Sequence, residues 1–139
     1  MTNYQESGLV MSIVNLHSKI QKRIGGALSL HGVGLSEYLV LHQLFMAPGQ
    51  TMRRVDLAEK VGLTPSGITR LLNPMEKIGL IEKEDNPRDA RVSMVALSIA
   101  GKRIYQEAQI SFQHASTILF EQLDAKRLGR FSQLVKVVA

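Results

Sequence analysis

Cysteine is absent from the 139-residue chain. That excludes disulfides, zinc fingers, thiolate catalysis and thiol-based redox sensing. Long apolar runs are absent too, since none reaches the ~18 residues that a membrane helix needs. The N-terminal MTNYQESGLV has no basic stretch ahead of an apolar one, so no secretory signal is expected there. No internal repeat or low-complexity tract is visible. No nucleophile–base motif, phosphate loop or paired-carboxylate spacing occurs, which argues against an enzyme. What is there fits an ordinary globular protein: 45% apolar and 21% charged residues, in a chain long enough to bury a core without staples. Seventeen Lys and Arg against twelve Asp and Glu leave a net charge of +5, which favours an anionic partner. A cytoplasmic protein without membrane contact or cofactor is the expectation.

The apolar residues Leu9, Ile13, Leu16, Ile20 and Ala27 recur at helical spacing and predict a first helix to about Leu28, ended by Gly32 and Gly34. A second helix is expected from Ser36, as its cap, to about Met46, before Pro48-Gly49. A third, from about Arg53 to Val61, should bury Val55, Leu57, Ala58 and Val61, with Gly62 suited to its left-handed end. Thr64-Pro65 is a strong helix start, a hydroxyl cap followed by proline at the first helical position. Ile68, Leu71, Leu72, Met75 and Ile78 then follow at helical spacing, with Pro74 expected to kink the helix or fray its end. The period next changes from 3.6 to 2. Leu80–Glu84 and Val92–Leu97 read as strands around the polar turn Asp85–Arg91. Ser98 should cap a long helix to about Gln122 with the stripe Ile104, Ala108, Phe112, Ala115 and Leu119, and Asp124 a final one.

Two short helices joined by Gly62-Leu63-Thr64 and followed at once by a hairpin form a helix-turn-helix pattern. Such a unit lays its second helix in the major groove of DNA. That helix needs an apolar inner face and an outer face without acids. Pro65, Ser66, Gly67, Thr69, Arg70 and Asn73 lie opposite Ile68, Leu71 and Leu72, and no acid occurs between Glu59 and Glu76. Arg70 could fork onto guanine, Asn73 could read adenine, and Ser66 or Thr69 could take a base or a phosphate. Close approach to the DNA backbone is one reason for a costly Gly67. The bland alternative is a solvated helix face, which the adjacent hairpin disfavours. From Arg53 to Arg103 ten basic residues face seven acidic ones, so binding depends on local placement and not on bulk charge.

The segment VDLAEKVGLTPSGITRLLNPMEKIGLIEKEDNPRDARVSMVALSIAG resembles the winged helix-turn-helix of MarR-type transcriptional regulators. The marks are Leu57-Ala58, Thr64 through Leu72, Glu76 with Gly79-Leu80-Ile81, Asp89-x-Arg91, and Leu97-Ser98-x-x-Gly101. The resemblance is strongest from about Leu35 to Tyr105, and the flanking helices match by position and pattern. It implies a mainly α fold with a small β-wing. A DNA-binding lobe at residues 35–100 would lie between dimerisation segments at 1–34 and 101–139. Thr64 joins the recognition-helix set. In the wing, Arg91 would enter the minor groove with Asp89 holding its guanidinium, and Arg88 could take a phosphate. The bland alternative for Asp89 and Arg91 is a surface ion pair that closes the turn. Arg53 and Arg54 depart from the family, which often has a hydroxyl cap there. Two cations oppose the helix dipole, and phosphate contact is one explanation, a misplaced helix start the other.

The resemblance further implies a homodimer, with Leu9, Ile13, Leu16, Leu128, Phe131, Leu134, Val135 and Val138 meeting across a two-fold axis. The operator on double-stranded DNA would be roughly palindromic, with half-sites about one turn apart. Members of the family are most often repressors, released by a small aromatic or anionic effector. Residues that could line its pocket are His17, Ile20, Arg23, Tyr38, His42 and Phe112. Zinc is not expected, because no His-x-x-x-His pair exists and structural roles suit the four histidines better. The competing reading is a winged-helix protein-interaction module without DNA binding, which should show an acidic or apolar recognition face.

Overall fold

The computed structural model describes residues 2–86 and 89–139, with side chains at 4–84 and 93–139. Six α-helices and three strands follow one another as α1 (Thr2–Ser29), α2 (Leu35–Met46), β1 (Thr51–Arg53), α3 (Arg54–Val61), α4 (Pro65–Lys77), β2 (Ile81–Asn86), β3 (Asp89–Leu97), α5 (Ile99–Leu119) and α6 (Ala125–Val138). A 3-10 turn at Pro48–Gln50 precedes β1. The fold is mainly helical with a small antiparallel sheet, as expected.

The centre of the core is α2, which buries Tyr38, Val40, Leu41 and Leu44. Around it lie Ile24 and Leu28 of α1, Leu57 and Ala58 of α3, and Ile68, Leu72 and Met75 of α4. Val95 of β3 and Tyr105 and Ala108 of α5 complete it. The sheet order is β1-β3-β2, and Val95 faces Met52 on one side and Lys83 on the other.

Several expected caps are present. Thr64 Oγ1 accepts from Gly67 N at 3.0 Å, Ser98 Oγ from Gly101 N at 2.9 Å, and Asp124 Oδ1 from Arg127 N at 2.8 Å. Gly62 takes the left-handed conformation at φ 72°. The cap of α2 differs from expectation. It is Gly34 and not Ser36, and the Glu37 carboxylate reaches back to accept from Gly34 N at 2.8 Å. That carboxylate satisfies a free N–H without a side chain on the cap residue itself. Helix α1 begins at Thr2, well before the apolar stripe, and α5 stops at Leu119, short of Gln122.

The wing strands are longer than the alternation suggested: β2 reaches Asn86 and β3 begins at Asp89, with a register shift between Asp85 and Asn86. Strand β1 was not expected at all. It is three residues long and exists by pairing Thr51 to Ala96 and Arg53 to Met94. Pro74 does not end α4, which runs on to Lys77. Val55 is 57% exposed instead of buried, because Leu57, Ala58 and Val61 fill the inner side of the short helix. Ile78, expected in the α4 stripe, is exposed because it lies in the turn beyond the helix. Among the described residues no helix is long and apolar enough to cross a membrane.

Candidate nucleic-acid interface

Helix α4 sits on the lobe by its apolar side. Ile68, Leu72 and Met75 are buried, while Thr64, Pro65, Ser66, Arg70 and Asn73 are exposed and Gly67 and Thr69 half-exposed. This is the division a groove-reading helix requires, and its first turn carries no acid. Gly67 has an explanation inside the protein. A Cβ there would lie 3.1 Å from Thr64 Oγ1, the capping oxygen, so a larger residue needs that hydroxyl to give by a few tenths of an ångström.

Two residues of that outer face are tied to other elements of the lobe. Arg54 Nη1 donates to Thr69 Oγ1 at 2.8 Å, and the Thr69 hydroxyl donates to the Pro65 carbonyl at 3.0 Å. Arg54 therefore ties the start of α3 to the first turns of α4. Its neighbour Arg53 is exposed and stands as the backbone cap of α3, with no side-chain cap bond. Its backbone also belongs to β1, paired with Met94, which explains why no hydroxyl cap is needed to define the helix start. Of the two arginines, Arg53 is thus the one left exposed for an outside anion. The second engaged residue is Asn73, whose Oδ1 accepts from Lys83 Nζ of β2 at 2.5 Å. Lys83 also lies 3.9 Å from the Glu76 carboxylate.

Arg88 and the side chains of Asp89 and Arg91 lie outside the described residues. The base of the wing is well defined by a knot around Ser98. Ser98 Oγ donates to the Gly79 carbonyl at 2.6 Å and accepts from Gly101 N, while Ser98 N donates to the Leu80 carbonyl at 3.2 Å. The end of α4, strand β2 and the start of α5 are joined there.

The residues considered for an effector pocket fall into two groups. Tyr38 stacks on Phe112 at 4.6 Å between ring centroids and on Tyr105 at 5.2 Å, and His42 Nδ1 is 2.7 Å from the Tyr105 hydroxyl. Burial pushes the Tyr38 phenol well above its ordinary range, and the Tyr105 hydroxyl beside it adds to the effect. Burial also raises Tyr105, partly opposed by its bond with Tyr38. His17 and Arg23, by contrast, are exposed on α1, and Ile20 is half-buried. A concavity of about 320 Å³ lies elsewhere, at the α5–α6 elbow, lined by Ser116, Thr117, Phe120, Glu121, Leu123 and Leu128. Tyr105 was missed in the sequence, although Tyr105, Ala108 and Phe112 share a helical spacing. Lys83 was missed as well, although period-2 alternation puts it on the same side of β2 as buried Ile81. Among the described residues no group of three or more His, Asp or Glu is placed to hold a metal.

The terminal helices carry uncovered apolar faces. Leu9 is 61% and Ile13 51% exposed on α1, and Leu134 55% and Val135 47% on α6. Val138 and Leu128 are also exposed, Leu16 and Phe131 are half-buried, and the Phe131 ring lies edge-on to Phe120 with centroids 6.1 Å apart. No residue of α6 is buried.

Comparison with known proteins agrees with this architecture. Residues 34–93 match the model of the MarR family. The HTH-type transcriptional regulator PrsX of Escherichia coli is 24% identical over 142 residues, covering 94% of this chain and 86% of that protein. Among solved structures, Sco3205, a MarR family transcriptional regulator from Streptomyces coelicolor in complex with DNA, superposes with a TM-score of 0.88 at 19% identity. The match covers 99% of this chain and 88% of the other. A mutant MarR from E. coli complexed with operator DNA gives 0.88 at 23% identity, over 99% and 97% of the two chains. With its helix-turn-helix, its three-stranded wing and its terminal helices in this order, the chain has the fold of these MarR regulators, and its residues 34–93 carry the match to the family.

Proposed function

We propose that this protein is a sequence-specific DNA-binding transcriptional regulator, a repressor that acts as a homodimer on a roughly palindromic operator. The observation that carries the reading is the outer face of α4, which exposes Ser66, Arg70 and Asn73 with no acid among them beside a hairpin wing. Arg70 forks onto guanine, and Arg91 of the wing takes the minor groove. The competing interaction-module reading needs an acidic or apolar face here, and this face is neither. The DNA complexes of Sco3205 and MarR support the same use of the fold.

The dimer follows from the terminal helices. Leu9, Ile13, Leu134 and Val135 are too exposed, and too numerous, to serve a monomer in water. Residues 1–34 and 101–139 supply the dimer contacts, and residues 35–100 the DNA lobe. A small aromatic or anionic effector binding between these parts shifts the spacing of the two lobes and releases the DNA. Exposed Arg23 and His17 and the rims of His42 and Phe112 offer the matching chemistry.

Gel-shift against the DNA upstream of the protein's own coding sequence tests the proposal. The expected result is one complex of two chains per duplex, with a preference over random DNA, weakened for every sequence by Arg91→Ala. Equal binding to random and upstream duplexes would overturn it.

A further inference from the structure

Asn73, like Thr69, is an outer residue of α4 whose side chain is held by a donor-only group of another element. An ammonium group has three donors and no acceptor, so Lys83 Nζ at 2.5 Å must face the carbonyl oxygen of the Asn73 amide. The amide cannot be turned over without placing N–H against N–H. Its Nδ2 group is therefore the end left for an outside partner.

The backbone fixes this arrangement. Between Asn73 and Lys83 the chain leaves α4 through Gly79 at φ 82°. Gly79 N donates to the Glu76 carbonyl at 3.0 Å and Leu80 N to the Met75 carbonyl at 3.0 Å, the paired bonds of a Schellman turn. Leu80 and Ile81 are buried directly after it, so β2 has one placement relative to α4. Lys83, 27% exposed at its side chain, is held from the other side by Glu76 at 3.9 Å.

Asparagine reads adenine with both ends of its amide: the oxygen accepts from N6 and the nitrogen donates to N7. Lys83 occupies one of the two lone pairs of Oδ1 and its ammonium charge repels a donor at the other, so the donating end is the one presented. Two N–H groups match the two adjacent acceptors of guanine, N7 and O6, and meet a repelling N6 donor on adenine. We infer that Lys83 is a specificity-setting positioning residue, which presents Asn73 donor-first so that it selects guanine over adenine in the major groove. The inference rests on the DNA-binding reading above and names which base this helix position takes.

Selection from a duplex pool with a randomised core of about two helical turns, ~21 base pairs, gives the test. Wild type, Asn73→Ala, Lys83→Met and Lys83→Arg are compared, each with its melting curve checked against wild type. Asn73→Ala identifies the position by losing its preference. Wild type should favour guanine there. Lys83→Met should move the guanine-to-adenine ratio toward adenine by about fivefold or more, the low end of what a base-edge contact discriminates. Lys83→Arg, which keeps a donor-only partner, should keep guanine.

An unchanged base profile in Lys83→Met, or uniform weakening on every base, overturns the inference and leaves Lys83 a phosphate contact at most. An unchanged profile in Asn73→Ala overturns it too, while DNA binding stands. A wild-type protein that selects no sequence removes the DNA-binding reading and the inference together.

Discussion

Replacing Gly101 by alanine should be among the most damaging single-methyl changes in this protein. A Cβ at that position would lie 2.0 Å from the Leu80 carbonyl oxygen, and 3.0 Å from both the Leu80 carbonyl carbon and Leu97 Cδ1. The nearest obstacle is backbone and cannot swing aside. The Leu80 carbonyl accepts from Ser98 N, and Leu80 N is itself bonded to the Met75 carbonyl. Relief requires α5 to move off the wing, which lengthens the Ser98–Leu80 bond and disturbs the Ser98 cap on Gly101 N. Overpacking alone costs about 1–3 kcal/mol, and the cap and the bond add about 1 kcal/mol each, so roughly 3–5 kcal/mol is expected. That is a large part of a typical net stability of about 5–15 kcal/mol. Urea denaturation at one fixed protomer concentration measures it, since an oligomer's midpoint depends on concentration. Gly129→Ala in α6 is the control. Nothing lies within 4 Å of its Cβ, so it should gain up to about 1 kcal/mol of helix propensity. A Gly101→Ala protein within about 1 kcal/mol of its parent would refute the close-packing argument.

The two arginines before α3 should separate by salt dependence. Arg53→Ala should lower the log–log slope of DNA affinity by about 0.9, as one lost phosphate contact, while Arg54→Ala should weaken binding with the slope unchanged, because Arg54 acts through Thr69. Equal slope changes would contradict these roles. The buried phenols predict alkaline sensitivity. Tyr38 and Tyr105 hold their protons above the ordinary value of 10.0, so the unfolded chain releases them first. Their contribution is complete below that value and is lost as pH rises above it; denaturation midpoints at about pH 8 and ~11 check the direction. Ile13→Asp combined with Leu134→Asp should give a monomer by sedimentation, whereas an unchanged sedimentation coefficient would remove these faces from the dimer contact.

What could be read from the sequence was what neighbouring residues settle among themselves. Thr64, Ser98 and Asp124 cap helices because a short polar side chain reaches its own chain three residues on. The cap of α2 escaped because Gly34 has no side chain to announce it and Glu37 does the capping from inside the helix. The polar start of α1 has no apolar stripe, so periodicity was silent there. Strand β1 is created by its partner, since three residues such as Thr51–Arg53 have no alternation to detect until β3 lies beside them. At the site, residue types marked the outer face of α4, but not which atoms are spoken for. The ties from Arg54 to Thr69 and from Lys83 to Asn73 join different elements and depend on how the lobe packs.

The most direct test of the account is fluorescence anisotropy of the upstream duplex titrated with wild-type protein and with Arg70→Ala. The account predicts salt-sensitive binding by wild type, and for Arg70→Ala a loss of about 1–3 kcal/mol confined to duplexes that carry the preferred base. Identical titration curves for the two proteins would contradict it.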